Sequence, residues 1–192
     1  MLTGKTISEL PQLTGVTDTM VIPVELSGVT YHVDYVQIAH KANAAYYNTE
    51  TQIVSGSNTP SIVLLNTIVN ESNIRLVNNS KIYVDLDGTY QLGVSYQLGK
   101  ATLAGGAATI VFWVRVDGVD VTDSAGEIVL VNNTDKTLPF IPYYFDLTAG
   151  QYIELVFASA DDTAKVFAVP ASSSPYVRPL IPSTYVTINQ LS

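Results

Sequence analysis

The sequence of 192 residues contains no cysteine, which excludes disulfide bonds and thiolate chemistry. Basic residues are also scarce, because nine Lys and Arg stand against seventeen Asp and Glu, a formal net charge of −8. Binding to a phosphate backbone requires clustered positive charge, so we expect no nucleic-acid partner. The longest apolar runs, such as residues 110–114, fall far short of the ~20 residues that a membrane-spanning helix requires, so we expect no membrane insertion.

Signals for targeting and catalysis are equally sparse. The first ten residues lack the apolar core of a signal peptide, which predicts assembly in a cytoplasm. The only two histidines, His32 and His40, form no metal-binding motif, and no nucleophile elbow or phosphate loop is present. The paired aspartates at 117–123 and 161–162 could serve calcium binding or glycoside hydrolysis, but turn aspartates are the favoured interpretation. We therefore expect a protein that is not an enzyme and uses no metal or cofactor.

The residues that are abundant favour β-strands, and the chain alternates between apolar and polar positions with a period of two. In residues 88–98, Tyr90, Leu92, Val94 and Tyr96 share one face and small polar side chains share the other. In residues 108–131 a similar alternation is interrupted by Asp117-Gly118, which predicts a tight turn. Residues 147–159 place Ile153, Leu155 and Phe157 on one face. These patterns predict an all-β jelly-roll sandwich.

The first 45 residues differ from the rest and have little core of their own. Residues 19–26 and 29–35 flank Ser27-Gly28 and predict a β-hairpin, and residues 35–45 predict a short helical piece. We therefore divide the chain into an N-terminal docking module, 1–45, and a jelly-roll domain, 46–192. A unit this small is marginal alone, so it requires a partner.

The second part resembles the jelly roll of tumour necrosis factor and the complement-type globular heads. The resemblance lies in DGTYQLGVSYQL (87–98), YYFDLTAGQYIELVFA (143–158) and PSTYVTINQL (182–191), with Gln151 where the family usually has Asp. It implies a compact homotrimer with one sheet of each subunit around the threefold axis. The implied trimer interface comprises Gln91, Gly93, Ser95, Gln97, Phe140, Pro142, Tyr144, Tyr185, Thr187 and Leu191. By the same resemblance, the strand within 147–159 belongs to the outer sheet.

Residues 5–38 resemble the N-terminal module of tailed-phage structural proteins, with an Ile-Ser-x-Leu-Pro start, the DTMVIPV strand and a glycine-turn hairpin. The resemblance implies a virion protein that docks on the major capsid protein or another virion component. The docking residues expected from it are the apolar side chains Ile7, Leu10, Ile22, Val24 and Tyr31.

Together these patterns predict a homotrimeric capsid decoration or head-fibre protein, assembled in the host cytoplasm and located in the virion. One alternative is a short tail fibre that binds host surface glycan through loops near 104–107, 120–126 and 171–179, with Tyr176 and Arg178 as candidate ligand residues. The other is a soluble cytokine-like or lectin binding module, for which the first 45 residues would be dispensable.

Overall fold

The computed structural model describes residues 21–26, 29–34, 41–100, 106–131 and 136–192, and the chain divides into two compact units, 1–40 and 41–192. In the N-terminal unit, β1 (Val21–Leu26) pairs antiparallel with β2 (Val29–Asp34), and Leu26 lies opposite Val29. This register leaves two residues for the connection, in agreement with the predicted hairpin. The turn residues 27–28 lie outside the described residues.

The short helical piece predicted at 35–45 is wrong for its last three residues. Asn43–Ala45 begin a strand that is paired along its length, whereas residues 35–40 lie outside the described residues. Alanine favours a helix in isolation, but here long-range pairing decides the conformation. The division between the units therefore lies at residue 40, five residues before the predicted boundary.

A five-stranded antiparallel sheet in the order β14-β9-β17-β3-β6 forms one layer of the second unit. Its core-facing side carries Tyr90, Leu92 and Val94, all fully buried, as the alternation predicts. Its strands are β3 (Asn43–Asn48), β6 (Thr67–Ser72), β9 (Gly88–Tyr96), β14 (Phe140–Leu147) and β17 (Thr184–Gln190).

A seven-stranded sheet forms the facing layer, built on the order β12-β11-β15-β8-β7 with β13 beside β11 and β5 beside β15. Ile153, Leu155 and Phe157 are buried in its core-facing side, which confirms their predicted orientation. Its strands are β5 (Ser61–Ile62), β7 (Ile74–Val77), β8 (Lys81–Val84), β11 (Ala108–Val116), β12 (Val119–Asp120), β13 (Gly126–Leu130) and β15 (Tyr152–Ser159).

A small third sheet joins β4 (Gln52–Ile53), β10 (Leu98–Lys100) and β16 (Ala164–Val166). Along the chain, consecutive segments switch repeatedly between the two large sheets: β8 is followed by β9, β13 by β14, and β15 and β16 by β17. Such crossing between two facing antiparallel sheets defines a jelly roll, so the predicted fold class is confirmed. Tyr96 and Phe112 stack across the core with ring centroids 4.8 Å apart.

Turn chemistry also agrees with the sequence at Asp117-Gly118. The two residues have φ of 52° and 80°, and Val116 lies opposite Val119. Two consecutive positive φ angles define the type I′ turn, which matches the right-handed twist of the strands that it connects. No helix among the described residues is long and apolar enough to cross a membrane.

Candidate self-association surface

The outward side of the five-stranded sheet carries a patch that is rich in aromatic side chains and that we call the aromatic face. Because side chains alternate along a strand, burial of Leu92 and Val94 directs Gln91, Gly93 and Ser95 outward. The strand register brings residues of three further strands, β14, β17 and β3, onto the same side. The aromatic face comprises Ala45, Tyr47, Gln91, Gly93, Ser95, Phe140, Pro142, Tyr144, Tyr185 and Thr187.

Cross-strand pairing orders these residues into rows. Phe140 lies opposite Ser95, which lies opposite Tyr185, which in turn lies opposite Tyr47. The rings of Tyr47 and Tyr185 are nearly parallel, with centroids 6.2 Å apart. One row further along, the side-chain amide of Gln91 donates to the Tyr144 hydroxyl over 3.1 Å. The face is therefore ordered within a single chain.

Gly93 lies where a larger side chain would meet its own neighbours on this face. A Cβ atom at this position would lie 2.9 Å from both Phe140 Cζ and Thr187 Oγ1. The absent side chain thus makes room for the Phe140 ring of the same chain. Phe140 itself remains 65% exposed, and the place of Gly93 in the trimer interface stays a prediction.

The aromatic face combines exposed rings with an absence of charged side chains. Tyr144 is 61% exposed and Tyr185 is 40% exposed, and none of the ten residues that define the face carries an ammonium, guanidinium or carboxylate group. Asp146 lies at one end of the sheet, where its carboxylate accepts a hydrogen bond of 2.7 Å from the Thr89 hydroxyl. An uncharged patch with large exposed rings has the composition of an interface core.

Of the ten predicted interface residues, eight belong to the aromatic face and two lie beyond strand ends. Gln97 follows β9, and its backbone N–H donates to the Ser183 carbonyl. Leu191 follows β17 and is 42% exposed. Sequence reasoning missed Ala45, which was placed in the predicted helical piece, and Tyr47, which lies just beyond it and was assigned to no strand. The alternation in NAAYYN, which buries Ala44 and Tyr46, was the available signal.

The two candidate ligand residues differ in their surroundings. Tyr176 is 66% exposed, at the tip of the segment between β16 and β17. Arg178 contacts its own chain, donating from Nη1 to the carbonyl oxygens of Pro170 and Pro179 over 2.8 and 3.3 Å. The guanidinium therefore stabilises the base of this segment, and the ligand role of both residues stays a prediction.

The candidate docking residues fall in the N-terminal unit. Ile22 lies opposite Val33, and Val24 lies opposite Tyr31, in the β1–β2 hairpin. Ile7 and Leu10 lie outside the described residues. The docking role of all five stays a prediction.

The aspartates of the predicted turns hydrogen-bond to nearby backbone. Asp161 accepts from the Thr163 N–H over 2.8 Å, and Asp117 accepts from the Tyr152 N–H over 3.0 Å. The Gln151 side chain also contacts Asp117: its Nε2 donates to Asp117 Oδ2 over 2.9 Å, and its Oε1 accepts from the Thr148 N–H over 2.9 Å. No group of three or more His, Asp or Glu side chains among the described residues could hold a metal ion.

A comparison with known proteins finds likeness at the level of the fold. No family model matches the chain, and no curated protein matches it. Solved structures that resemble it include murine APRIL at pH 8.0 and at pH 8.5. Each is 13% identical with a TM-score of 0.49, and each match covers 79% of this chain and 100% of that chain. Eiger TNF from S. frugiperda is 13% identical with a TM-score of 0.49, over 80% of this chain and 94% of that one. None of these comparisons indicates a phage virion protein.

Proposed function

We propose that this chain is a non-enzymatic structural and binding module that assembles as a homotrimer through the aromatic face. The observation that carries the proposal is the exposure of Phe140, Tyr144 and Tyr185 on one uncharged sheet surface. Monomeric proteins rarely expose a large contiguous apolar patch without using it, and aromatic residues are enriched where subunits meet.

Charge favours a second copy of the same chain as the occupant of this face. Each chain carries a formal net charge of −8, so identical copies repel one another except where charge is absent. The ten residues of the aromatic face carry no charged side chain, so two copies can meet there without bringing like charges together. The resemblance of the second part to tumour necrosis factor implies threefold closure, and an obligate interface of this kind buries more than about 2,000 Å² in total.

As the biological role of the trimer, we propose attachment to a virion as a capsid decoration or head-fibre protein. Two features support it: the resemblance of residues 5–38 to tailed-phage modules, and the division of the chain into two compact units, with the β1–β2 hairpin in the first. In this proposal the hairpin docks on the major capsid protein or another virion protein, and three linked hairpins raise the overall avidity on a repeating lattice.

The second candidate is a soluble cytokine-like or lectin binding module, and the complete core of the 41–192 unit favours it. A short tail fibre that contacts host glycan belongs to the same loop-binding class. In both, the exposed tip around Tyr176 would supply the contact.

Sedimentation equilibrium tests the assembly, with about 62 kDa expected for three 20.7-kDa chains. A stable monomer at micromolar concentration would contradict the trimer. Deletion of residues 1–40 distinguishes a virion protein from a soluble binding module. If the chain is a virion protein, the truncated trimer fails to co-sediment with phage particles, whereas a soluble binding module retains its ligand binding without these residues.

A further inference from the structure

A groove of about 420 Å³ lies on the outward side of the seven-stranded sheet, on the layer opposite the aromatic face. Val111 and Ala158, which are cross-strand partners on β11 and β15, line it together with Trp113. Asn58 and Pro60 line it from the segment that precedes β5. Ligand sites in proteins commonly have volumes of about 300–1,000 Å³, so the groove is large enough for a small molecule.

Backbone hydrogen bonds hold this segment in place. The Asn58 N–H donates to the Ser159 carbonyl over 2.8 Å, and Ser61 on β5 lies opposite Phe157 on β15. Asn58 has a φ of 58°, a left-handed conformation that Asn adopts more readily than most residues. The groove is therefore built by main-chain pairing and does not depend on the rotamer of one side chain.

The Trp113 ring is held in position before any ligand arrives. Its Nε1 donates to Asp120 Oδ1 over 2.6 Å, and Arg115 Nε donates to the same oxygen over 2.6 Å. The Arg115 guanidinium carbon also lies 6.0 Å from the Trp113 ring centroid. Because two neighbouring side chains, Asp120 and Arg115, hold the ring, little rotamer entropy remains to be lost when a ligand stacks on it.

The chemistry of the lining points to a neutral ligand. Among the described residues that line the groove, none has an ionisable side chain, in a chain of formal net charge −8. Asn58, Thr109 and Ser159 add polar side chains to a mainly apolar surface, and the Ser159 hydroxyl already donates to the Thr109 carbonyl over 2.7 Å. Hydrolysis of a glycoside requires two carboxylates, which the lining does not supply, so the groove suits binding and not cleavage.

We propose that this groove binds one neutral pyranose ring of a glycan, stacked on the indole of Trp113. The face of an aromatic ring is electron-rich and attracts the partly positive C–H hydrogens of a sugar face. The hydroxyl groups at the edge of the same sugar then meet Asn58 and Thr109. If the chain is the homotrimer proposed above, three grooves point away from the shared interface and a branched glycan gains avidity.

The chain contains a single tryptophan, so its emission reports directly on this site. The test titrates the full chain with methyl glycosides of glucose, galactose, mannose and N-acetylglucosamine in the millimolar range, where single sugars bind. N-acetylneuraminic acid serves as the anionic comparison and cyclohexanol as the apolar one. We expect a saturable change in Trp113 emission with at least one neutral glycoside, and none with the acid.

Two variants keep the tryptophan and alter the groove. Ala158→Leu fills the groove and is expected to weaken binding about tenfold or more, whereas Ala171→Leu, at an exposed position that does not line it, leaves binding unchanged. Asn58→Gly keeps the backbone conformation, removes the carboxamide and weakens binding.

The proposal is overturned if no neutral glycoside produces saturable emission or NMR saturation transfer, or if Ala158→Leu binds as the unaltered chain does. Binding of cyclohexanol as tight as that of the glycosides also overturns it, because the groove would then bind apolar rings without hydrogen bonds to sugar hydroxyls. Each readout uses free monosaccharide, so a chain that fails to trimerise can still bind sugar, and the two proposals fail separately.

Discussion

Replacement of Phe140 by glutamate is the sharpest test of the aromatic face. The side chain is 65% exposed in a single chain. For a phenylalanine with about 200 Å² of accessible surface, full burial at an interface would remove about 130 Å² from water. At about 25 cal/mol per Å², this burial contributes about 3 kcal/mol per chain, or about 10 kcal/mol per trimer. Loss of that contribution lowers the trimer association constant by about seven orders of magnitude.

Sedimentation equilibrium over a concentration series measures the loss, and Tyr176→Glu provides the matched control. Tyr176 is 66% exposed, almost the same as Phe140, but it does not belong to the aromatic face. We expect Phe140→Glu to sediment as a monomer with unchanged circular dichroism, and Tyr176→Glu to remain a trimer. If Phe140→Glu keeps the trimeric mass, or if both variants dissociate equally, the assignment of this face to self-association is refuted.

Three further predictions concern stability. The Lys100 ammonium, almost fully buried, lies 2.5 Å from an Asp161 carboxylate oxygen, so Asp161→Asn should cost about 3–5 kcal/mol in urea denaturation. Burial would raise the pKa of Asp161, but the hydrogen bonds from Lys100 and Thr163 outweigh it and hold the pKa below the usual 3.8. The stability from this pair is therefore complete above about pH 4 and lost as the pH falls through the lowered pKa, a loss that Asp161→Asn should not show. Tyr96→Phe should leave stability unchanged or raise it by about 1 kcal/mol in thermal unfolding, because the buried hydroxyl has no hydrogen-bond partner among the described residues. Gly118→Ala should destabilise by about 1 kcal/mol in the same assay, because φ is 80° there.

Local chemistry was sufficient to predict several elements in detail. The alternation in β9 correctly placed Tyr90, Leu92 and Val94 in the core, and the Asp117-Gly118 pair marked a hairpin turn. Both depend on residues adjacent in sequence: side chains alternate with period two, and Gly accepts positive φ readily. The same period placed most of the aromatic face on one side of its sheet.

Other features depend on contacts between distant parts of the chain. Asn43–Ala45 are strand because they pair with β17, more than 140 residues later, and this long-range pairing outweighs the helical preference of alanine. The role of Arg178 follows from a carbonyl eight residues away in a folded-back segment. The Trp113 groove exists because the segment before β5 hydrogen-bonds to β15.

By itself, the sequence determined the strand character of the chain, the inward or outward direction of its side chains, and the chemistry that it lacks. Only the tertiary structure determined which of the outward-facing side chains are buried by another segment of the same chain. Val156 faces outward from the seven-stranded sheet and is nonetheless fully buried, with Ile62 of β5 as its strand partner, whereas Phe140 and Tyr144 stay exposed. The physical reason is that the direction of a side chain is fixed by its own backbone, whereas its burial depends on the segment that folding brings against it.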